Sequence, residues 1–153
     1  MDTKAFREGF RDGIPIGLGY LAVSFSLGIS AKQAGLTPLQ GFVTSFLENA
    51  SAGEYIAFTL IGAGATYIEL CLMTIIANAR YLLMSCAMSQ RFSPDTPMIH
   101  RFFVAFDLTD ELFGIAIGRP GYLNPYYRYG AFLVALPGWS IGTAAGVIAG
   151  NLL

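Results

Sequence analysis

Three groups of polar residues set inside apolar sequence have the types and spacing to do chemistry. Glu69, Asn78 and Arg80 lie within Thr66 to Ser89, twenty-four mostly apolar residues reading TYIELCLMTIIANARYLLMSCAMS. At about 1.5 Å rise per residue, such a run reaches across a hydrocarbon core of roughly 30 Å. An arginine near its middle costs about 2.5 to 3.5 kcal/mol on insertion scales, so a carboxylate partner or a wet cavity must offset it. The blander alternative is that Arg80 stands near an interface and snorkels into the headgroups. Gly53 and Glu54 belong to a second apolar run, Leu39 to Ile61, which Glu48, Asn49 and Ser51 also interrupt. Asp107, Asp110 and Glu111 fall with Thr109 between two apolar runs in Phe102 to Gly118. On one helix these three acids share a face by i, i+3, i+4 spacing. Alternatively, Asp107 or Thr109 caps a helix whose first turn holds the carboxylates that follow.

The elements that must position these groups follow from composition. Hydrophobic residues make up 54% of the 153 and charged residues 12%, against about 25% charged in an ordinary soluble domain. The expected class is an all-α, polytopic integral membrane bundle with a broken or re-entrant helix, as a single transmembrane domain over 1–153. Its segments are expected at about 14–30, 39–61, 66–89, 102–118 and 130–153. The run at 39–61 reads as two half-helices meeting near Asn49 to Gly53, because irregular backbone at membrane depth survives only against protein or a cavity. Two ordinary elements joined by a solvent loop are the competing reading.

Met1 to Gly13 carries Phe6 and Phe10 at i, i+4 beside Arg7 and Arg11, a pattern for a short helix lying on the membrane surface. Three basic residues precede the first span and only Lys32 follows it, which predicts a cytoplasmic N-terminus. No cleavage signal follows, so the first helix is expected to stay. Later loop charges leave two topologies open. The tyrosines of Arg119 to Tyr129, RPGYLNPYYRY, suit an aromatic belt. The last run, Gly130 to Leu153, repeats glycine at Gly138, Gly142, Gly146 and Gly150, three overlapping GxxxG patterns that form a groove for another helix.

Several classes are set aside. A net charge of −1 without a basic run offers no footprint for nucleic acid. One histidine, His100, and no CxxC or HExxH spacing leave a metal without ligands, and no cofactor is expected. Cys71 and Cys86, fifteen residues apart on one predicted helix, are beyond disulfide reach and read as buried, reduced fillers. Serine, histidine and acids form no recognisable hydrolase constellation, so an enzyme is not expected.

The motifs RDGIPIGLGY at Arg11 to Tyr20, SAGEY at Ser51 to Tyr55, NARYLLMS at Asn78 to Ser85, LTDE at Leu108 to Glu111 and PGWSIGTAAGVIAG at Pro137 to Gly150 follow one another in a family's order. With them the chain resembles the AzlC family of branched-chain amino-acid permeases, the large subunit of two-component bacterial exporters. Glu54 stands where that family commonly has glutamine, and Tyr81 where many members have histidine. The chain is similar to the N-terminal two-thirds of such a permease. The resemblance implies export of small hydrophobic amino acids across the bacterial inner membrane, driven by an ion gradient and assisted by a small AzlD-like membrane subunit.

The residues themselves fit a zwitterionic substrate. Arg80 would meet its carboxylate, while Glu54, Asp107 or Asp110 would meet the ammonium or carry a coupling proton. Asn78, Glu111 and backbone groups freed near Gly53 complete the candidate substrate or ion site. In the plainer reading Arg80 only pairs with Asp110 or Glu54 and holds helices in register. A different class is a nontransporting assembly subunit that docks a partner through the glycine groove.

Overall fold

The computed structural model describes residues 2–150. Met1 and residues 151–153, the end of the expected last span, lie outside them. The described residues form eight helices without a strand. The protein is thus an all-helical, polytopic membrane protein. Helix α1 runs Thr3–Gln33, α2 Pro38–Glu48, α3 Ser51–Gly62, α4 Tyr67–Ala77, α5 Arg80–Ser89, α6 Met98–Phe106, α7 Asp110–Ile117 and α8 Pro125–Ala149. Among the described residues, α1 and α8 are each long and apolar enough to cross a membrane, and α4 with α5 form a bent pair that qualifies when counted together.

Local chemistry explains most of the boundaries. Thr37 caps α2 and exchanges hydrogen bonds with Gln40, with Pro38 at the first helical position. Thr66 and Glu69 form the same reciprocal cap on α4, so Glu69 is a capping residue. Asn49 ends α2 in the left-handed region, at φ 47° and ψ 40°, a conformation that asparagine tolerates better than most residues. Ala50 is extended and opens α3 without any side-chain cap.

The expected span at 66–89 is two helices, broken at Asn78 and Ala79. Asn78 leaves helical geometry at φ −95° and ψ 6° while its N–H still bonds to Thr74 and Ile76, a tightened last turn. Cys71 and Cys86 accordingly stand on different helices, and both are exposed, not buried. The surface helix expected at the N-terminus is the first part of α1, which continues through Pro15. The segment at 102–118 is broken as well. Thr109 is extended and its hydroxyl accepts the Leu112 N–H at 3.4 Å, so the capping alternative describes α7 and the shared-face alternative does not.

The chain divides into two compact units, Met1–Ile16 with Arg80–Ala135, and Gly17–Ala79 with Leu136–Leu153. In the first unit, Met88, Phe92, Val104, Leu108, Ala116 and Leu123 form an apolar core. There Gly9 and Gly13 of α1 lie against the backbone of Tyr127 and Ala131 on α8. In the second unit, Gly138 lies against Gly17, Gly142 against Leu21 and Ser24, and Gly146 against Phe25 and Gly28; Gly150 meets the Lys32 side chain. All four glycines of the stripe therefore face α1 within the chain, and that face is not free for a partner.

Candidate functional site

Gly53, Glu54 and Asn78 belong to the second unit, whereas Arg80, Asp107, Asp110 and Glu111 belong to the first. Each group has its own geometry. In the first unit Arg80 Nη2 lies 3.0 Å from Asp110 Oδ2, with 45% of each side chain exposed. The pairing is the one the plainer reading named, and the guanidinium is half-exposed instead of enclosed. Asp110 and Glu111 both occupy the first turn of α7, where carboxylates favour the positive end of the helix dipole. Asp107 is 2% exposed and pairs with Arg128, itself 1% exposed. Arg128 Nη2 donates to the Asp107 carbonyl and lies 3.3 Å from its carboxylate.

The second unit holds a more unusual arrangement at the break between α2 and α3. Glu48, at the C-terminal end of α2, accepts from Asn78 Nδ2 at 3.4 Å, and both side chains lie against the Cα of Gly53, where a Cβ would overlap them. Only glycine in the first turn of α3 lets these two side chains approach. The carbonyl oxygens of the Asn49 and Asn78 side chains are buried without a hydrogen-bond partner among the described residues. An unsatisfied buried acceptor costs about 1–3 kcal/mol, so the Asn78 oxygen beside a half-buried carboxylate favours a donor-rich, cationic guest, and the Asn49 oxygen is a second such acceptor at the same end of α2. Glu48 also sits where the α2 dipole is negative, which adds to that preference. On the other side of the break the first turn of α3, Ser51 to Gly53, presents backbone N–H groups that no side chain caps. Uncapped N–H groups at a helix start attract an anion.

Glu54 lies one residue further and is fully buried. Ser45 Oγ donates to its Oε2 at 2.6 Å, and Trp139 Nε1–H donates to its Oε1. The Ser45 hydroxyl is also 2.7 Å from Thr143 Oγ1, which in turn lies 3.3 Å from the Trp139 carbonyl. Tyr20 packs edge-on against the Trp139 ring with centroids 5.1 Å apart. Among the described residues no lysine, arginine or histidine forms an ion pair with Glu54.

Sequence reasoning placed Glu48 and Asn49 only as interruptions and did not single out Ser45, Trp139, Thr143 or Arg128. The available signal at Glu48 and Asn49 was an acid and an amide ending a helix that no basic residue follows. Trp139 and Thr143 lie within the PGWSIGTAAG motif, whose legible signal is the glycine spacing.

The chain matches the AzlC protein family over residues 15–153. It is 29% identical over 151 residues to an uncharacterized membrane protein of Archaeoglobus fulgidus, covering 99% of this chain and 65% of the relative. It is 25% identical to the inner membrane protein YgaZ of Escherichia coli, over 97% of this chain and 62% of that protein. The branched-chain amino acid transport protein AzlC of Bacillus subtilis is also 25% identical, with 96% of this chain and 58% of that protein covered. The chain thus spans just under two thirds, or less, of these relatives' lengths. No solved structure matches.

Proposed function

The chain belongs to the AzlC family, and from that premise we propose that it carries branched-chain or other small hydrophobic amino acids across the membrane, binding them at the break between α2 and α3. The observation that carries this reading is the opposed polarity of one break. Glu48 and the orphan oxygens of Asn49 and Asn78 form an acceptor surplus, and the uncapped first turn of α3 is a donor surplus a few residues away. An α-amino acid presents an ammonium and a carboxylate on one carbon, which satisfies both. Transporters built on discontinuous helices use the same device. The name of the Bacillus relative supports the substrate class. Outward transport driven by an ion gradient, a small AzlD-like membrane subunit and a place in the bacterial inner membrane belong to the same proposal.

Equilibrium binding of radiolabelled leucine to the purified chain in lipid nanodiscs tests it. Charge-assisted hydrogen bonds contribute about 1.5 to 3 kcal/mol, so Glu48→Gln should weaken binding about 10- to 150-fold. Leucinol, without a carboxylate, and isocaproate, without an ammonium, should compete poorly. Unchanged leucine affinity in Glu48→Gln would place the substrate elsewhere.

A further inference from the structure

Four polar groups form a line through the second unit: the Glu54 carboxyl on α3, the Ser45 hydroxyl on α2, the Thr143 hydroxyl and the Trp139 carbonyl on α8. Each hydroxyl has one hydrogen and two neighbours, so the hydrogens can be arranged in two complete ways. With Glu54 ionised, Thr143 donates to Ser45 and Ser45 donates to Glu54 Oε2. With Glu54 protonated, Oε2–H donates to Ser45, Ser45 donates to Thr143, and Thr143 donates to the Trp139 carbonyl. Trp139 Nε1–H, a donor only, serves Oε1 in both. No donor is stranded in either arrangement and no heavy atom has to move, because hydroxyl rotation alone reverses the line.

A buried carboxylate normally matches one protonation state and is penalised in the other by an unmatched donor or acceptor. This one matches both. We propose that Glu54 is the binding site for one exchangeable proton, with Ser45 and Thr143 as positioning residues that accommodate its arrival and departure by reversing their hydrogen bonds. The step balances simply: hydronium gives a proton to Glu54 Oε2 and leaves water, and release is the reverse. Among the described residues, Glu48 on α2 is a charged group whose field reaches Glu54. The α8 side chains that hydrogen-bond to Glu54 and Ser45, Trp139 and Thr143, are neutral. The proposal rests on the transport reading only where the proton is taken as the one coupled to substrate movement.

Infrared difference spectroscopy of the full chain in nanodiscs, recorded across a pH titration without substrate, tests the site independently of transport. The parent should show a carboxylic C=O band that appears with acidification together with uptake of one proton per chain, and both the band and that proton should be missing in Glu54→Gln. Ser45→Ala and Thr143→Val each remove one link of the line and should shift that band while leaving it present. They keep the test decisive if the glutamine variant does not fold. A difference spectrum in Glu54→Gln equal to that of the parent, or a band indifferent to both hydroxyl variants, would overturn the proposal. Leucine binding that fails while the Glu54 band behaves as described would sink the transport reading alone.

Discussion

Arg128 shows how strongly one residue's meaning depends on its surroundings. It lies in a tyrosine-rich stretch that reads as interfacial, yet its guanidinium is 1% exposed and held by Asp107. Breaking a buried ion pair from one side leaves a charge uncompensated, at a cost of about 3–5 kcal/mol, whereas replacing both partners with apolar residues is often neutral. Asp107→Ala should therefore lower the melting temperature in detergent sharply, and Asp107→Leu with Arg128→Met should recover most of the loss. A single variant that melts with the parent would remove the structural role given to this pair. Asp2 permits a prediction in pH. Its carboxyl accepts the Ala5 N–H at 3.1 Å and the Asn124 amide at 2.7 Å, and the Ala5 bond holds it below its ordinary value of 3.8. A depressed carboxyl stabilises the fold above the unfolded value and loses that contribution as pH falls through the folded one. Protection of the first-turn amides of α1, taken relative to their intrinsic exchange rates, should fall below about pH 4 in the parent and be insensitive to that change in Asp2→Asn.

Among the elements, the contact of α1 with α8 in the second unit depends on residues without side chains. At Gly138, Gly142 and Gly146 a Cβ would overlap atoms of α1, and inside lipid close packing replaces the hydrophobic drive between helices. Gly142→Leu and Gly146→Leu should each destabilise the chain in detergent by about 1–3 kcal/mol or more, without any partner present. Gly114, inside α7, has open space around it, so Gly114→Ala should be neutral or stabilise by up to about 1 kcal/mol through helix propensity alone. Thermal melts of the three variants decide the matter, and leucine tolerated at Gly146 would refute the close approach. The glycine spacing was legible in the sequence, but its partner helix was not, because a four-residue stripe specifies a flat face and says nothing of what covers it. The breaks were legible in part. Glu48, Asn49 and Gly53 announce the one between α2 and α3, while that at Asn78 and Ala79 lacks proline or glycine and arises in a run that a continuous helix would equally satisfy.

For the whole molecule, Lys4, Arg7 and Arg11 before the first span against Lys32 after it predict an N-terminus on the cytoplasmic side. A Thr3→Cys variant with Cys71 and Cys86 replaced by serine should react with a membrane-impermeant maleimide only after the cells are opened. Labelling of intact cells would reverse the orientation. Class and family could be read from the sequence alone, since apolar length, scarce charge and ordered motifs are properties of the chain itself. Burial could not be read this way. In a soluble helix the apolar stripe marks the inward face, but in lipid the outward face is apolar too, so Leu82 and Leu83, exposed at 72% and 78%, look no different from the buried Leu112. Which acid pairs with which base was likewise undetermined, because Asp107, Asp110, Glu54 and Glu48 are chemically equivalent until the backbone gives each a different neighbour. Tertiary structure alone decided that Asp110 meets Arg80, Asp107 meets Arg128, Glu48 meets an amide, and Glu54 meets two neutral hydrogen-bond donors. Contacts within a few ångströms fix these differences, and they join residues as many as eighty-five positions apart in the sequence.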